Sequence, residues 1–184
     1  MRVGLMVGEG SGAAPELQGL IERGRLAERS GLDTAWIANI ALDAMTASAA
    51  LGAMTSRIEI GTAVVPTFTR HPVAMAQQAT STQMACSGRF SLGIGLAHKF
   101  MVEAMWGLSY EKPAQQMRAY LEILQPLMQG KAVTHKNEQF DVKLTAMPKG
   151  TETSLLIAAL GPMMLKLAGQ LTAGTITWAT GFET

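Results

Sequence analysis

The sequence predicts an α/β protein built from repeated strand–helix units around a parallel sheet. Three observations carry this. Short, nearly continuous apolar runs rich in β-branched residues recur along the chain, longer segments between them place apolar residues at helical spacing, and Gly or Pro marks the junctions. At 184 residues the chain is long enough for one well-buried domain, so residues 1–184 are expected to form a single unit.

The first unit is an apolar run at residues 3–7, followed by Gly8-Glu9-Gly10-Ser11-Gly12 and then, after Pro15, a helix with Leu17, Leu20, Ile21, Gly24 and Ala27 on one face. Gly31 sits where a helix C-terminal glycine belongs. Residues 34–38 form the second strand, and Asp43 is placed to cap the helix after it. Residues 58–65 read as one continuous third strand, leading through Pro66 to Pro72 into a helix near 73–86. The fourth strand covers 90–96. A longer connection carrying Trp106 and Tyr110 follows it, then a helix from Pro113 with Met117, Tyr120, Leu121, Leu124 and Met128 inward, which Pro126 is expected to bend or end. Residues 131–149 break the rhythm: Ala132-Val133-Thr134 and Gln139-Phe140-Asp141-Val142 flank a polar tip, as a small inserted hairpin would. The fifth strand is 154–160, its helix opens at Gly161-Pro162, and Gly174 ends that helix before a sixth strand at 175–179.

Composition narrows the function. Lys and Arg total 15 against 14 Asp and Glu, without a basic stripe, so no nucleic-acid partner is expected. A neutral small-molecule handler fits better. The single Cys86 cannot form an intrachain disulfide and no signal peptide is evident, which points to the cytoplasm. Apolar residues make up 48% of the chain, yet no run approaches the roughly 18 needed to span a membrane. The three His residues have no Cys or acidic cluster at ligand spacing, so no metal site is expected. The 13 methionines are expected to be mostly core filler.

A closed barrel and an open doubly wound sheet both satisfy the strand–helix pattern. The loop after the first strand lacks a clean G-x-G-x-x-G, and no acidic residue ends the second strand, which weakens a dinucleotide-binding reading. Further stretches are more specific in combination: Gly61-Thr62-Ala63-Val64-Val65-Pro66-Thr67 with Arg70-His71-Pro72, Gly88-Arg89-Phe90-Ser91-Leu92-Gly93-Ile94-Gly95 with His98, Val102-Glu103-Ala104-Met105-Trp106-Gly107-Leu108, Ala158-Ala159-Leu160-Gly161-Pro162-Met163-Met164-Leu165, and Gly174-Thr175-Ile176-Thr177-Trp178. Together they resemble the luciferase-like monooxygenase superfamily, in particular its deazaflavin (coenzyme F420)-dependent oxidoreductase branch.

The resemblance implies a (β/α)8 barrel with a deazaflavin or FMN across the C-terminal mouth, the end where parallel-barrel chemistry collects. A whole barrel needs about 250 residues. The chain is therefore expected to form a partial (β/α)8 barrel of six parallel strands, lacking the last two βα units. Carried onto this sequence, the cofactor ring is expected against a kink at the end of the third strand, at Val64, Val65 and Pro66. The phosphate is expected at Leu160, Gly161 and Pro162 and at Thr180 and Gly181, where a Gly-preceded helix start offers free N–H groups. Met163 stands where relatives often carry Arg, and Asn39 where some carry His. Glu9, Asn39 and His98 are the candidates for polarising or protonating substrate. His71 either meets the cofactor or satisfies backbone groups at its helix start, and Glu9 is otherwise a solvated loop carboxylate.

The activity so implied is hydride transfer between F420 and a small organic substrate. FMN is the alternative cofactor, since the same loops cradle both. The other reading is a truncated, non-catalytic or repurposed subunit, completed by a partner chain or by dimerisation. A homodimer is expected, because an incomplete barrel leaves two sheet edges and apolar helix faces uncovered.

Overall fold

The apolar runs pair side by side as parallel strands, and the amphipathic segments return the chain between them. The computed structural model describes residues 1–8, 16–145 and 150–177. In chain order the elements are β1 (Gly4–Met6), α1 (Leu17–Arg29), β2 (Thr34–Ile37), α2 (Ala44–Ala53), β3 (Glu59–Thr62), β4 (Val65–Pro66), α3 (Pro72–Ala85), β5 (Phe90–Gly95), a π-helix (Met101–Met105), α4 (Pro113–Met128), β6 (Val133–Lys136), β7 (Asp141–Leu144), β8 (Ser154–Ala158), α5 (Pro162–Leu171) and β9 (Gly174–Ile176). The main sheet runs β1-β2-β3-β5-β8-β9 with every pair parallel, and β4 also pairs with β5. This is six strand positions, the third shared by β3 and β4. β1 and β9 stand at opposite edges, so the sheet is an open, unclosed part of a barrel.

Period-two alternation divides the faces. Ala35, Ile37, Ile60, Leu92, Ile94, Leu155 and Ile157 are buried in the core shared with helix residues such as Leu20, Leu51, Met75 and Leu124. The opposite face sets glycines, Gly61, Gly93 and Gly95, beside larger side chains. A Cβ on Gly61 would collide with the Trp36 ring, and one on Gly93 would lie 2.5 Å from Ile176 Cδ1, although β8 separates β5 from β9. That reach across a strand reports the curl of the sheet.

Local rules explain most element ends. Asp43 Oδ1 accepts from Thr46 N–H at 2.8 Å and caps α2. Gly31 follows α1 at φ 81°, the left-handed region that favours glycine. Pro72, Pro113 and Pro162 each open a helix, where the absent N–H costs nothing.

Several expectations are corrected. The third strand is not continuous: it stops at Thr62, the Ala63–Val64 peptide is cis, and pairing resumes at Val65. Pro126 stays inside α4, which ends soon after at Met128, because in the last turn it removes only one backbone bond. Gly174 belongs to β9 rather than terminating α5. The connection after β5 holds the π-helix. Among the described methionines, Met45, Met75 and Met117 are buried, but Met6, Met54, Met84, Met105 and Met163 are exposed, so core filling is not their general role. Outside the main sheet, β6 and β7 pair antiparallel from Val133–Leu144 to Lys136–Asp141, and this hairpin packs on α4.

Candidate functional site

The break in the third strand is repaired by a side chain. Thr62 Oγ1 donates to Gly93 O at 2.8 Å and accepts from Gly93 N–H at 2.9 Å, replacing ladder bonds that the departing backbone gives up. The displaced segment re-enters as Val65 and Pro66 opposite Ile94 and Gly95, and Thr67 N–H donates to Gly95 O at 2.9 Å. Val64 comes to lie over Gly95: a Cβ there would be 2.6 Å from Val64 Cγ2 and 3.2 Å from Ala158 Cβ. The strand break, the end of β5 and the end of β8 therefore meet at the C-terminal end of the sheet. Val64 is half-buried, whereas Val65 and Pro66 are buried.

Directly after β8 come Leu160, which is exposed, and Gly161, the N-terminal boundary of α5. Among the described residues no side chain caps α5, no acidic residue lies in its first turn, and nothing lies within 4 Å of where a Gly161 Cβ would be. Its first N–H groups, beyond Pro162, are thus open to an anion. Met163 is 66% exposed and supplies no charge.

At the end of β2, Asn39 is half-buried and its Oδ1 accepts from Ala44 N–H at 3.1 Å. That bond fixes the carboxamide and leaves its NH2 group as a donor. Next to it, Asp43 Oδ2 pairs with Arg70 Nη2, joining the start of α2 to the loop before α3. Burial pulls the Arg70 guanidinium below its usual pKa, and Tyr120 OH donates to Arg70 O at 3.0 Å. Burial also drives the Tyr120 phenol well above its ordinary range. His98 lies exposed just beyond β5, its carbonyl accepting from Val102 N–H.

The structure brings Val64, Val65 and Pro66 together with the end of β8, and places Asn39 and His98 at the same end of their strands. His71 is on another side: its Nδ1 accepts from Val73 N–H at 3.3 Å, capping α3, and its ring sits edge-on to Phe140 of the hairpin with centroids 5.8 Å apart. Glu9, Thr180 and Gly181 lie outside the described residues. Reading the sequence missed Thr62 and the Asp43–Arg70 pair. A threonine beside a strand break, or partners 27 residues apart, leave no local signal. Among the described residues no group of three or more His, Cys, Asp or Glu is gathered as a metal site would need, and no helix is long and apolar enough to cross a membrane.

Comparison with known proteins places this geometry. A family model described as luciferase-like monooxygenase matches residues 1–184. The chain is 33% identical over 157 residues to a 5,10-methylenetetrahydromethanopterin reductase of Archaeoglobus fulgidus, covering 83% of this chain and 46% of that protein. It is 32% identical over 174 residues to an F420-dependent glucose-6-phosphate dehydrogenase of Microbacterium testaceum, covering 86% and 52%. Among solved structures, an F420-dependent secondary alcohol dehydrogenase in complex with an F420-acetone adduct superposes with a TM-score of 0.81 at 20% identity, over 97% of this chain and 58% of that one. The chain thus spans about half the length of the relatives it matches.

Proposed function

Because the chain belongs to the luciferase-like monooxygenase family, a family of deazaflavin- and flavin-using oxidoreductases, we propose that it holds coenzyme F420 across the C-terminal ends of its strands and supports hydride transfer with a small organic substrate. The observation that carries this reading is the meeting of the broken third strand with the ends of β5 and β8, just ahead in the chain of the uncapped start of α5. Val64, half-buried over Gly95 and beside Ala158, offers an apolar side chain to one face of a planar ring. Leu160, Gly161 and Pro162 lead into free N–H groups suited to the cofactor phosphate. The name of the Microbacterium testaceum relative, which specifies F420, supports that cofactor.

The cofactor, when bound, supplies the hydride chemistry. The chain's own share is orientation and charge. Asn39, with its oxygen held by Ala44 N–H, can donate from its amide to a substrate oxygen. His98, on the loop after β5, and Glu9 are the further candidates for protonating substrate. His71 fixes the start of α3 on the hairpin side of the fold, so its contribution is to hold the loop that follows the broken strand. The open face favours a second copy of the chain as the group that covers the site.

Absorbance titration with F420 and, separately, FMN tests the proposal. F420 is expected to bind more tightly, and Met163→Glu to weaken it several-fold to about tenfold by setting a carboxylate beside the phosphate. Binding of neither cofactor, or unchanged affinity in Met163→Glu, counts against the site.

A further inference from the structure

A second cavity, of about 610 Å³, lies between the loop after β4, the start of α4 and the tip of the β6–β7 hairpin. Asn39, Val64 and His98 do not line it. Thr67 and Gln116 do, and each carries a buried oxygen, Oγ1 and Oε1, with no hydrogen-bond partner among the described residues. Thr67 is only 2% exposed. Solvent does not reach either oxygen, and a buried hydroxyl or amide oxygen left unpaired is costly. Neither bonds the other, although both residues line one cavity. Rotation about one or two side-chain torsions, between staggered wells, turns each toward it.

The walls define what could pair with them. Phe68, stacked on Tyr110 at 5.4 Å, and Phe140 supply flat apolar surface. The charges disfavour an ionic guest of either sign. Lys112 is 3.8 Å from Glu138, Arg70 is held by Asp43, and the exposed Glu111 adds a second carboxylate to the rim. Gln116 Oε1 can only accept, while the Thr67 hydroxyl can donate or accept. We propose that this cavity binds an uncharged planar molecule bearing an amide-like donor–acceptor pair, its N–H directed to Gln116 and its carbonyl to Thr67, between the two phenyl rings. Of the residues expected at the cofactor, only His71 lines this cavity.

Benzamide is a suitable test ligand, with methyl benzoate lacking the donor and benzoate carrying a charge. Titrations of the full chain without cofactor, followed by 1H–15N NMR, are expected to show benzamide binding at least about tenfold more tightly than either, the factor that about 1.4 kcal/mol represents. The shifts should centre on residues 67–70 and 108–116. Thr67→Val and Gln116→Met should each lose most of this preference. Thr67→Val should melt no lower than the parent, because it removes an unpaired hydroxyl and keeps the shape. The proposal is overturned by equal binding of benzamide and methyl benzoate, by no saturable benzamide binding, by undiminished preference in Thr67→Val, or by shifts centred on Asn39 and His98. A drop in melting temperature for Thr67→Val would also overturn it, since the hydroxyl would then have a structural partner.

Discussion

Asn39 combines two roles that one substitution can separate. Its Oδ1 accepts from Ala44 N–H, a duty that a carboxylate performs equally well at the start of a helix. Its NH2 is the only part able to donate to a substrate oxygen. Asn39→Asp is therefore expected to stay within about 1 kcal/mol of the parent in stability. Turnover, followed as the change in cofactor absorbance with whichever substrate supports it, should fall on the order of 100-fold. Loss of stability with turnover retained would assign Asn39 to α2 alone. Cys86 shows how far a residue's chemistry depends on its surroundings. Composition identifies a lone thiol, but burial, opposed by Arg89, pushes its pKa up to about 11, and its Sγ donates to Ser48 O. It is an inert core group. Asp43 was legible as a helix cap because capping is local, whereas its pairing with Arg70 was not.

Glycine decides much at the level of elements. β5 can lie under the broken third strand because Gly93 has no side chain: a Cβ would stand 2.1 Å from Thr62 O, a backbone atom that cannot move without unpairing the strand. Gly93→Ala should destabilise by about 3 kcal/mol, the cost of overpacking a tight site, as read by urea denaturation. Gly169 in α5 has open space around it, so Gly169→Ala should stabilise by about 0.5–1 kcal/mol. A Gly93→Ala protein as stable as the parent would remove the reason for glycine at this position. The third strand itself reads as one run because Ile58 to Val65 is rich in β-branched residues. The break depends on Thr62 reaching Gly93, 31 positions on, which no propensity encodes. The π-helix after β5 was likewise unreadable, since Met101–Met105 carries no periodicity that distinguishes it from a loop.

For the molecule as a whole, exposed apolar side chains lie at the β1 edge of the sheet and around the start of α5. Val3, Leu5 and Met6 lie along or next to β1, and Leu160, Met163 and Leu165 lie after β8 and on α5. Met54 and Met84, at the ends of the packed helices α2 and α3, are 60% and 68% exposed. Unpaired strand edges and contiguous apolar surface favour association. A polypeptide of residues 1–184 is expected to sediment as a dimer at micromolar concentration rather than as a 19.5 kDa species. The Met54→Lys/Met84→Lys variant should dissociate if pairing runs through α2 and α3, and should remain dimeric if the sheet edges pair instead. A monodisperse monomer of the parent chain would refute the expectation.

The sequence by itself determined the fold class, the order of strands and helices, the helix starts at Pro72, Pro113 and Pro162, and the cap at Asp43. Each depends on residues within a few positions of one another, where periodicity and capping act. The motif stretches also sufficed to identify the family. The family resemblance placed a kink near Val64, but only the tertiary structure decided that Thr62 bridges it to Gly93, that His71 turns to Phe140, that Asn39 is held through its oxygen, and that Thr67 and Gln116 share one cavity. Those outcomes follow from which distant segments the curled sheet brings into contact, and such contacts depend on shape and burial that no local pattern carries.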